Sequence, residues 1–262
     1  MLINDLKTKI MVFGSKEKIQ LKFNGSDIEQ VAKYKFLGVI ITATNRVNSD
    51  PFKLNYAYLC DQARKSHFAI KQKLKNVGHL PPVTMFYVFN CMLKPILTYC
   101  SDIWGVYKSS WSTIDKFFLH FAKCVLGVRS NTSNLLVYGE TGQIAPHVSC
   151  IYNSITYFNR VLYMDENTLV KQVFNELAHL HECGFHNNNW FSNARALVDK
   201  YQIEVNSKQE VFKNLTRNTL TSNFIYEWFR DIHDSDKNPI ARTYKLFKLS
   251  YGMEPYLNNI NN

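Results

Sequence analysis

The chain has 262 residues, 46% of them hydrophobic and 14% aromatic, with a formal net charge of +10. That apolar content excludes a disordered chain, and the length suits one large domain or two modest ones. The surplus of Lys and Arg predicts a polyanionic partner, nucleic acid first and an anionic membrane surface second. The six cysteines, Cys60, Cys91, Cys100, Cys124, Cys150 and Cys183, are scattered without a Cys-x-x-Cys pair. This fits reduced thiols in the nucleus or cytoplasm rather than a secreted disulfide framework. No apolar h-region with a cleavage site opens the chain, so no signal peptide is expected.

Residues 1–42 read as strands. Residues 9–14 and 18–23 are β-prone runs separated by Gly14-Ser15-Lys16-Glu17, a hairpin-turn composition. Asn24-Gly25 is a strong turn dipeptide leading toward residues 28–31. Lys33-Tyr34-Lys35-Phe36-Leu37-Gly38-Val39-Ile40-Ile41-Thr42 is an apolar run of strand length with one glycine inside. A glycine in a strand marks a bulge or a close backbone approach. These runs predict a small antiparallel sheet, marginal alone, that packs on another body.

From Asp50 the period becomes helical. Asp50-Pro51 reads as an N-cap followed by proline at the first helical position. The helix is expected to run to about residue 77 and stop at Gly78, ahead of Pro81-Pro82. Its apolar stripe is Tyr56, Leu59, Ala63, Ile70, Leu74 and Val77, and Lys53, Arg64, Lys71 and Lys75 fall along one ridge beside it. Such a ridge is either a solvated helix face or a rail for phosphates.

The next helix, over about residues 82–104, is apolar almost all round and predicts burial. Asn90, Lys94 and Pro95 interrupt it, which argues for a core helix and against a membrane span. Pro95 should kink or split it. A third helix, capped by Ser112 or Thr113, runs to Val128, turns Ile114, Phe117, Phe118 and Phe121 inward, and has Gly127 near its end. Lys116, His120 and Lys123 share another face, a second basic ridge. Beyond Pro146 helices are expected over 149–163, 167–181, 190–201, 207–218 and 222–231, with a short one near 240–248. Linkers are expected near 141–146 and 234–239.

Two side-chain clusters bear on chemistry. His179, His181, Cys183 and His186 are close in sequence, and His179 and Cys183 share a helix face, as zinc ligands could. The spacing matches no standard finger and Gly184 breaks the helix, so no metal site is predicted. Cys60 or Cys124 with a histidine would be a nucleophilic pair, but nothing in the sequence orients one.

Several blocks in order resemble one family. Asn4-Asp5-Leu6-Lys7-Thr8-Lys9-Ile10-Met11-Val12-Phe13 and Tyr34-Lys35-Phe36-Leu37-Gly38 look like the last two palm motifs of reverse transcriptases from non-long-terminal-repeat (LINE-type) retrotransposons. Pro95-Ile96-Leu97-Thr98-Tyr99-Cys100-Ser101-Asp102-Ile103-Trp104-Gly105 is similar to the family's Pro-x-Leu-x-Tyr-Gly-x-Glu-x-Trp-Gly block, with Cys100 where glycine is usual and Asp102 where glutamate is usual. Val125-Leu126-Gly127-Val128, Asn131-Thr132 and Val137-Tyr138-Gly139-Glu140-Thr141-Gly142 resemble its next block. Arg242-Thr243-Tyr244-Lys245-Leu246-Phe247-Lys248 with Glu254-Pro255-Tyr256-Leu257 resembles a late one.

The resemblance implies a mainly α-helical chain with a small N-terminal antiparallel sheet. Residues 1–45 would be a palm remnant with β-hairpins, 46–145 a thumb-like helical domain and 146–262 a helical connector. It implies that Lys7 assists at the incoming nucleotide, as a cation or general acid toward the pyrophosphate leaving group. It places Phe36, Leu37 and Gly38 at the primer grip, and Lys53, Arg64, Lys71, Lys75, Lys116 and Lys123 on thumb helices that hold duplex. The implied partners are an RNA–DNA or DNA template–primer duplex and the remainder of the polymerase upstream, with no membrane partner.

The full polymerase would use Mg2+ held by paired carboxylates. This chain contains no Asp-Asp pair. No cofactor and no independent polymerase activity are therefore expected of it. Two alternatives stand beside this reading. One is a helical protein–protein scaffold, with Trp190-Phe191 and Trp228-Phe229 as exposed anchors. The other is a retroelement relic without function.

Overall fold

The structure, a computed structural model, describes residues 8–15, 17–23, 25–44, 50–75, 78, 80–185, 189–234 and 238–258. It is mainly α-helical with small β elements near the N-terminus, as the sequence pattern predicts. The strands are shorter than their apolar runs, and they form three separate pairs. β1 (Lys9–Ile10) pairs in parallel with β4 (Glu29–Gln30), so the runs at 9–14 and 18–23 do not make a hairpin with each other. β2 (Lys22–Phe23) and β3 (Ser26–Asp27) pair antiparallel across the expected tight turn, with Gly25 at φ +79°. β5 (Lys33–Phe36) and β6 (Val39–Thr42) form the third, antiparallel pair.

α1 (Lys53–Leu74) starts three residues after Asp50. The carboxylate of Asp50 accepts the backbone N–H of Phe52 at 2.8 Å and the Tyr56 hydroxyl at 2.7 Å, and it also bonds the Ser109 hydroxyl. It therefore stabilises the turn leading into the helix and ties α1 to the start of α5 (Lys108–Leu126). That helix begins earlier than Ser112 and ends two residues before Val128, with Gly127 left-handed at φ +66° as its C-terminal signal.

Between these helices, α2 (Pro82–Val88) passes into a π-helical turn, Phe89–Leu93, and then α3 (Lys94–Leu97). The backbone N–H of Lys94 reaches back five residues to the carbonyl of Phe89. Pro95 has no N–H to bond Cys91, and its ring crowds that carbonyl; a widened turn just before it accommodates the proline. The chain breaks after Leu97 rather than at Pro95, and α4 (Ser101–Trp104) follows.

α6 (Asn134–Thr141) lies where the sequence suggested only a motif block. α7 (Pro146–Leu162), α8 (Leu169–Glu182) and α9 (Trp190–Lys200) match their predicted positions closely. α10 (Gln209–His233) is a single helix where two were expected. Its Thr216 and Leu220 are both buried, so one packed face runs through the supposed gap. A 3-10 turn (Pro239–Ala241), α11 (Tyr244–Phe247) and a last 3-10 turn (Pro255–Asn258) complete the chain.

The aromatic rings of Phe118 and Phe121 on α5 meet those of Phe86 and Phe89, with centroids 5.0–6.5 Å apart. Residues on both sides of position 145, from Val39 to Ala241, join one hydrophobic core. α7 runs against α4, α5 and α10. At the closest approach, a Cβ on Gly105 would sit 2.4 Å from the Ser101 carbonyl oxygen and 2.6 Å from that of Cys150. Gly105→Ala must push α4 off α7. A loss of about 1–3 kcal/mol is expected, read as a lower urea midpoint.

Candidate nucleic-acid interface

The residues expected at the primer grip do not lie inside one strand. Phe36 pairs with Val39, so Leu37 and Gly38 form a two-residue hairpin turn. Their φ angles are +46° and +88°, the double positive φ of a type I′ turn. The sequence hides this turn because leucine, rather than Asn or Asp, occupies its first position. Phe36 and Leu37 stand out at the tip, 58% and 76% exposed.

The tip rests on Tyr99. Its hydroxyl donates to the Leu37 carbonyl at 2.9 Å, and a Cβ on Gly38 would lie 3.1 Å from its ring. The Tyr99 carbonyl accepts the Trp104 indole N–H at 2.8 Å. Next to it, Cys100 adopts φ +52°, the left-handed conformation that favours glycine, at the position where the resemblance expects glycine. Further down the hairpin, the backbone N–H of Ile40 donates to Asn55 Oδ1 at 3.0 Å, and Lys35 Nζ donates to the Tyr58 hydroxyl at 2.6 Å. Two sequence blocks far apart in the chain thus meet at one contact.

Lys53, Arg64 and Lys71 are exposed on α1, and Lys75 is exposed just past its end. They fall within about 40° around the helix axis and span about 33 Å, close to one turn of a duplex. α1 and α5 run parallel. Cys60 Sγ lies 3.8 Å from the Thr113 carbonyl, and about two helical turns further along both helices, the rings of His67 and Phe121 sit 5.1 Å apart, edge-on. The two predicted ridges therefore adjoin along the α1–α5 seam.

His67 marks the junction. Its pKa is lowered, first by burial and then by the charges of Lys71 and His120. On α5, Lys116 is exposed, while Lys123 is half-buried and donates to the Ser130 carbonyl at 2.8 Å, tying down the following loop. The hairpin does not share this seam. Asn55 and Tyr58, which touch it, lie about 140–200° around α1 from Lys53. Tip and rail thus occupy opposite edges of the exposed face of α1. Lys7 lies outside the described residues.

The late blocks also meet. A Cβ on Gly139 would clash with the Trp228 ring and the Tyr244 hydroxyl, both at 2.6 Å, and one on Gly142 with the backbone of Met253 at 2.3 Å. Glu254 N–H donates to the Glu140 carbonyl at 3.0 Å. The Glu140 carboxylate accepts the Tyr256 hydroxyl, and Lys248 pairs with Glu254. These carboxylates are thus already engaged, and among the described residues no group of three His, Cys, Asp or Glu side chains could hold a metal ion. The described residues therefore do not fit the two-metal centre of a polymerase.

The other candidates resolve individually. His179 Nε2 and Cys183 Sγ are 3.7 Å apart, but His181 turns to Ser192 Oγ at 2.9 Å, and His186 lies outside the described residues. Cys60 is buried, which raises its thiol pKa and disfavours a nucleophile. Cys124 lies 3.9 Å from His120 Nε2. Phe191 and Trp228 belong to the core, and the indoles of Trp190 and Trp228 donate to the Asp102 and Leu135 carbonyls. Both aromatic pairs therefore act in packing rather than as exposed anchors. Among the described residues no helix is long and apolar enough to cross a membrane.

Two outcomes follow from this geometry. Tyr99→Phe removes the bond to Leu37 and should loosen the hairpin. The loss should appear as faster amide exchange in the hairpin at Phe36 and Val39, with exchange from α5 little changed. The pH dependence has a definite sign. Native His67 binds protons less readily than the unfolded chain, whose imidazole titrates near the ordinary 6.5. Its contribution is complete above that value and is lost as pH falls through the lower native value. The urea midpoint should drop between about pH 8 and pH 5, and His67→Phe should flatten part of that drop.

The chain matches no protein-family model, no curated protein and no solved structure.

Proposed function

We propose that this chain holds template–primer nucleic acid as the palm remnant, thumb and following helical region of a LINE-type reverse transcriptase, without catalysing polymerisation itself. The observation that carries the reading is the α1–α5 seam, where two basic ridges adjoin along about one duplex turn. A second support is that sequence blocks resembling the family's motifs meet in pairs, the hairpin tip on Tyr99 and Gly139 to Gly142 on the late segment.

In this reading the cations neutralise phosphates without reading sequence. The turn at Leu37-Gly38, with Phe36 beside it, steadies the primer end, and Lys7 assists near the incoming nucleotide. The carboxylates and Mg2+ belong to the remainder of the polymerase upstream, and the complex works in the nucleus or cytoplasm.

The test is duplex binding by fluorescence anisotropy over a salt series. Affinity for an RNA–DNA duplex should fall steeply between about 50 and 200 mM salt. Arg64→Ala, Lys71→Ala and Lys75→Ala combined should reduce the log–log salt slope by about 2.7 and weaken binding by about tenfold or more. Unchanged affinity in that triple variant removes the rail from the reading.

A further inference from the structure

A second group of cations lies away from the seam, on α3, α7 and α10. A cleft of about 320 Å³ opens beside the break at Thr98 to Cys100, with Arg160 and Lys213 on its wall and Asn153 and Gln209 facing in. Asn153 Nδ2 is occupied by Ser101 Oγ at 2.8 Å. Its Oδ1 and the whole amide of Gln209 have no hydrogen-bond partner among the described residues.

The cations form a file. Arg160 and Lys213 line the same cleft, and Glu210, 2.7 Å from Lys213 Nζ, favours its protonated form. One helical turn along α10, Arg217 lies over the Tyr152 ring, 5.1 Å from its centroid. Lys94, on α3, is disfavoured in its charged form, first by burial and also by Arg217. The order is therefore Arg160, Lys213, Arg217, Lys94. Lys213 and Arg217 are four residues apart on α10 and so share one face of it, with Cβ atoms about 5–6 Å apart.

Among the described residues, Lys213 alone of the four has a carboxylate partner. Lys94, Arg160 and Arg217 form no ion pair among the described residues. Both arginines sit against tyrosines, Arg160 over the Tyr157 ring at 4.9 Å and Arg217 over that of Tyr152, whose hydroxyl accepts from Arg217 Nη2 at 3.5 Å, and both are exposed to a phosphate. Desolvating an unpartnered cation such as Lys94 disfavours its charge, and an arriving phosphate removes that cost. The cleft is at the small end of ligand sites, room for a nucleotide and too narrow for a duplex.

We infer that this file and cleft bind a single nucleic-acid strand, with phosphates along Arg160, Lys213, Arg217 and Lys94 and one base in the cleft against Asn153 and Gln209. The inference rests on the duplex-holding reading above and adds to it a separate path for the unpaired strand.

The experiment uses the full chain, a dye-labelled oligothymidylate about 15 nucleotides long, and a blunt duplex of similar length, at about 100 mM salt. Arg160→Ala with Arg217→Ala should weaken oligothymidylate binding about tenfold and change duplex binding less than about twofold. The corresponding double lysine variant should recover most of that loss, and a urea midpoint within error of the unaltered chain shows that the fold is kept. Single-strand affinity unchanged in the double alanine variant, or an equal loss for duplex, overturns the inference. Displacement of the oligonucleotide by thymidine monophosphate at equal nucleotide concentration also overturns it, since the site would then take free nucleotides. An unaltered chain that fails to bind duplex overturns the duplex-holding reading instead, a result separate from the effect of Arg160 and Arg217 on the single strand.

Discussion

The contact of Tyr99 with the Leu37-Gly38 turn is the constraint on which the rest depends. Among the described residues before Asp50, only Val39 is buried in the core. The N-terminal strands cannot stabilise themselves on that single side chain, and isolated two-stranded ladders are marginal in water. They are held instead by bonds to α1 and to the turns beside the helices: Ile40 to Asn55, Leu37 to Tyr99, and Thr42 to the Pro51 carbonyl. Gly38 leaves room for the Tyr99 ring, and Cys100 beside it adopts a left-handed backbone at a cost of about 1–2 kcal/mol. The packing of Trp104, whose indole bonds the Tyr99 carbonyl, fixes where that ring stands. The position of the hairpin is thus set by the helical body.

A second joint works on the same principle. Gly139 and Gly142 give up side chains so that Trp228, Tyr244 and the backbone at Met253 can close in. The blocks that resemble a polymerase family are therefore, in this fold, the places where distant segments approach most closely. Their residue types are demanded by packing whatever the chain binds. The surface cations, which packing does not require, therefore bear on function more than the glycines and aromatics of the motifs do.

What the sequence could show follows from which features are local. The ridge of Lys53, Arg64, Lys71 and Lys75 is legible because it repeats at the helical period, and Gly127 because a left-handed residue ends a helix. Asp50 is legible as a helix-start residue, but it acts one turn early, through Phe52, Tyr56 and Ser109. The turn at Leu37 is hidden because an apolar run of strand length continues through it, with leucine where Asn or Asp would mark a turn. α10 reads as two helices in the sequence because its Thr and Asn residues weaken helix propensity, while burial of Thr216 and Leu220 overrides that weakness. The adjoining of His67 and His120, and the file from Arg160 to Lys94, come from different helices packed together, so no spacing in the chain records them.

The π-helical turn at Phe89–Leu93 has a consequence for how this chain aligns with others. A π turn holds one more residue than the α turn it replaces, and it leaves the side chains on either side in their places. A chain one residue shorter between Phe86 and Leu97, and free of the demand made by Pro95, could keep both of those side chains in the same core positions with an unbroken α-helix. Single-residue gaps at this point are therefore neutral for the fold, and alignments that forbid them would misplace every position up to the Tyr99 tie.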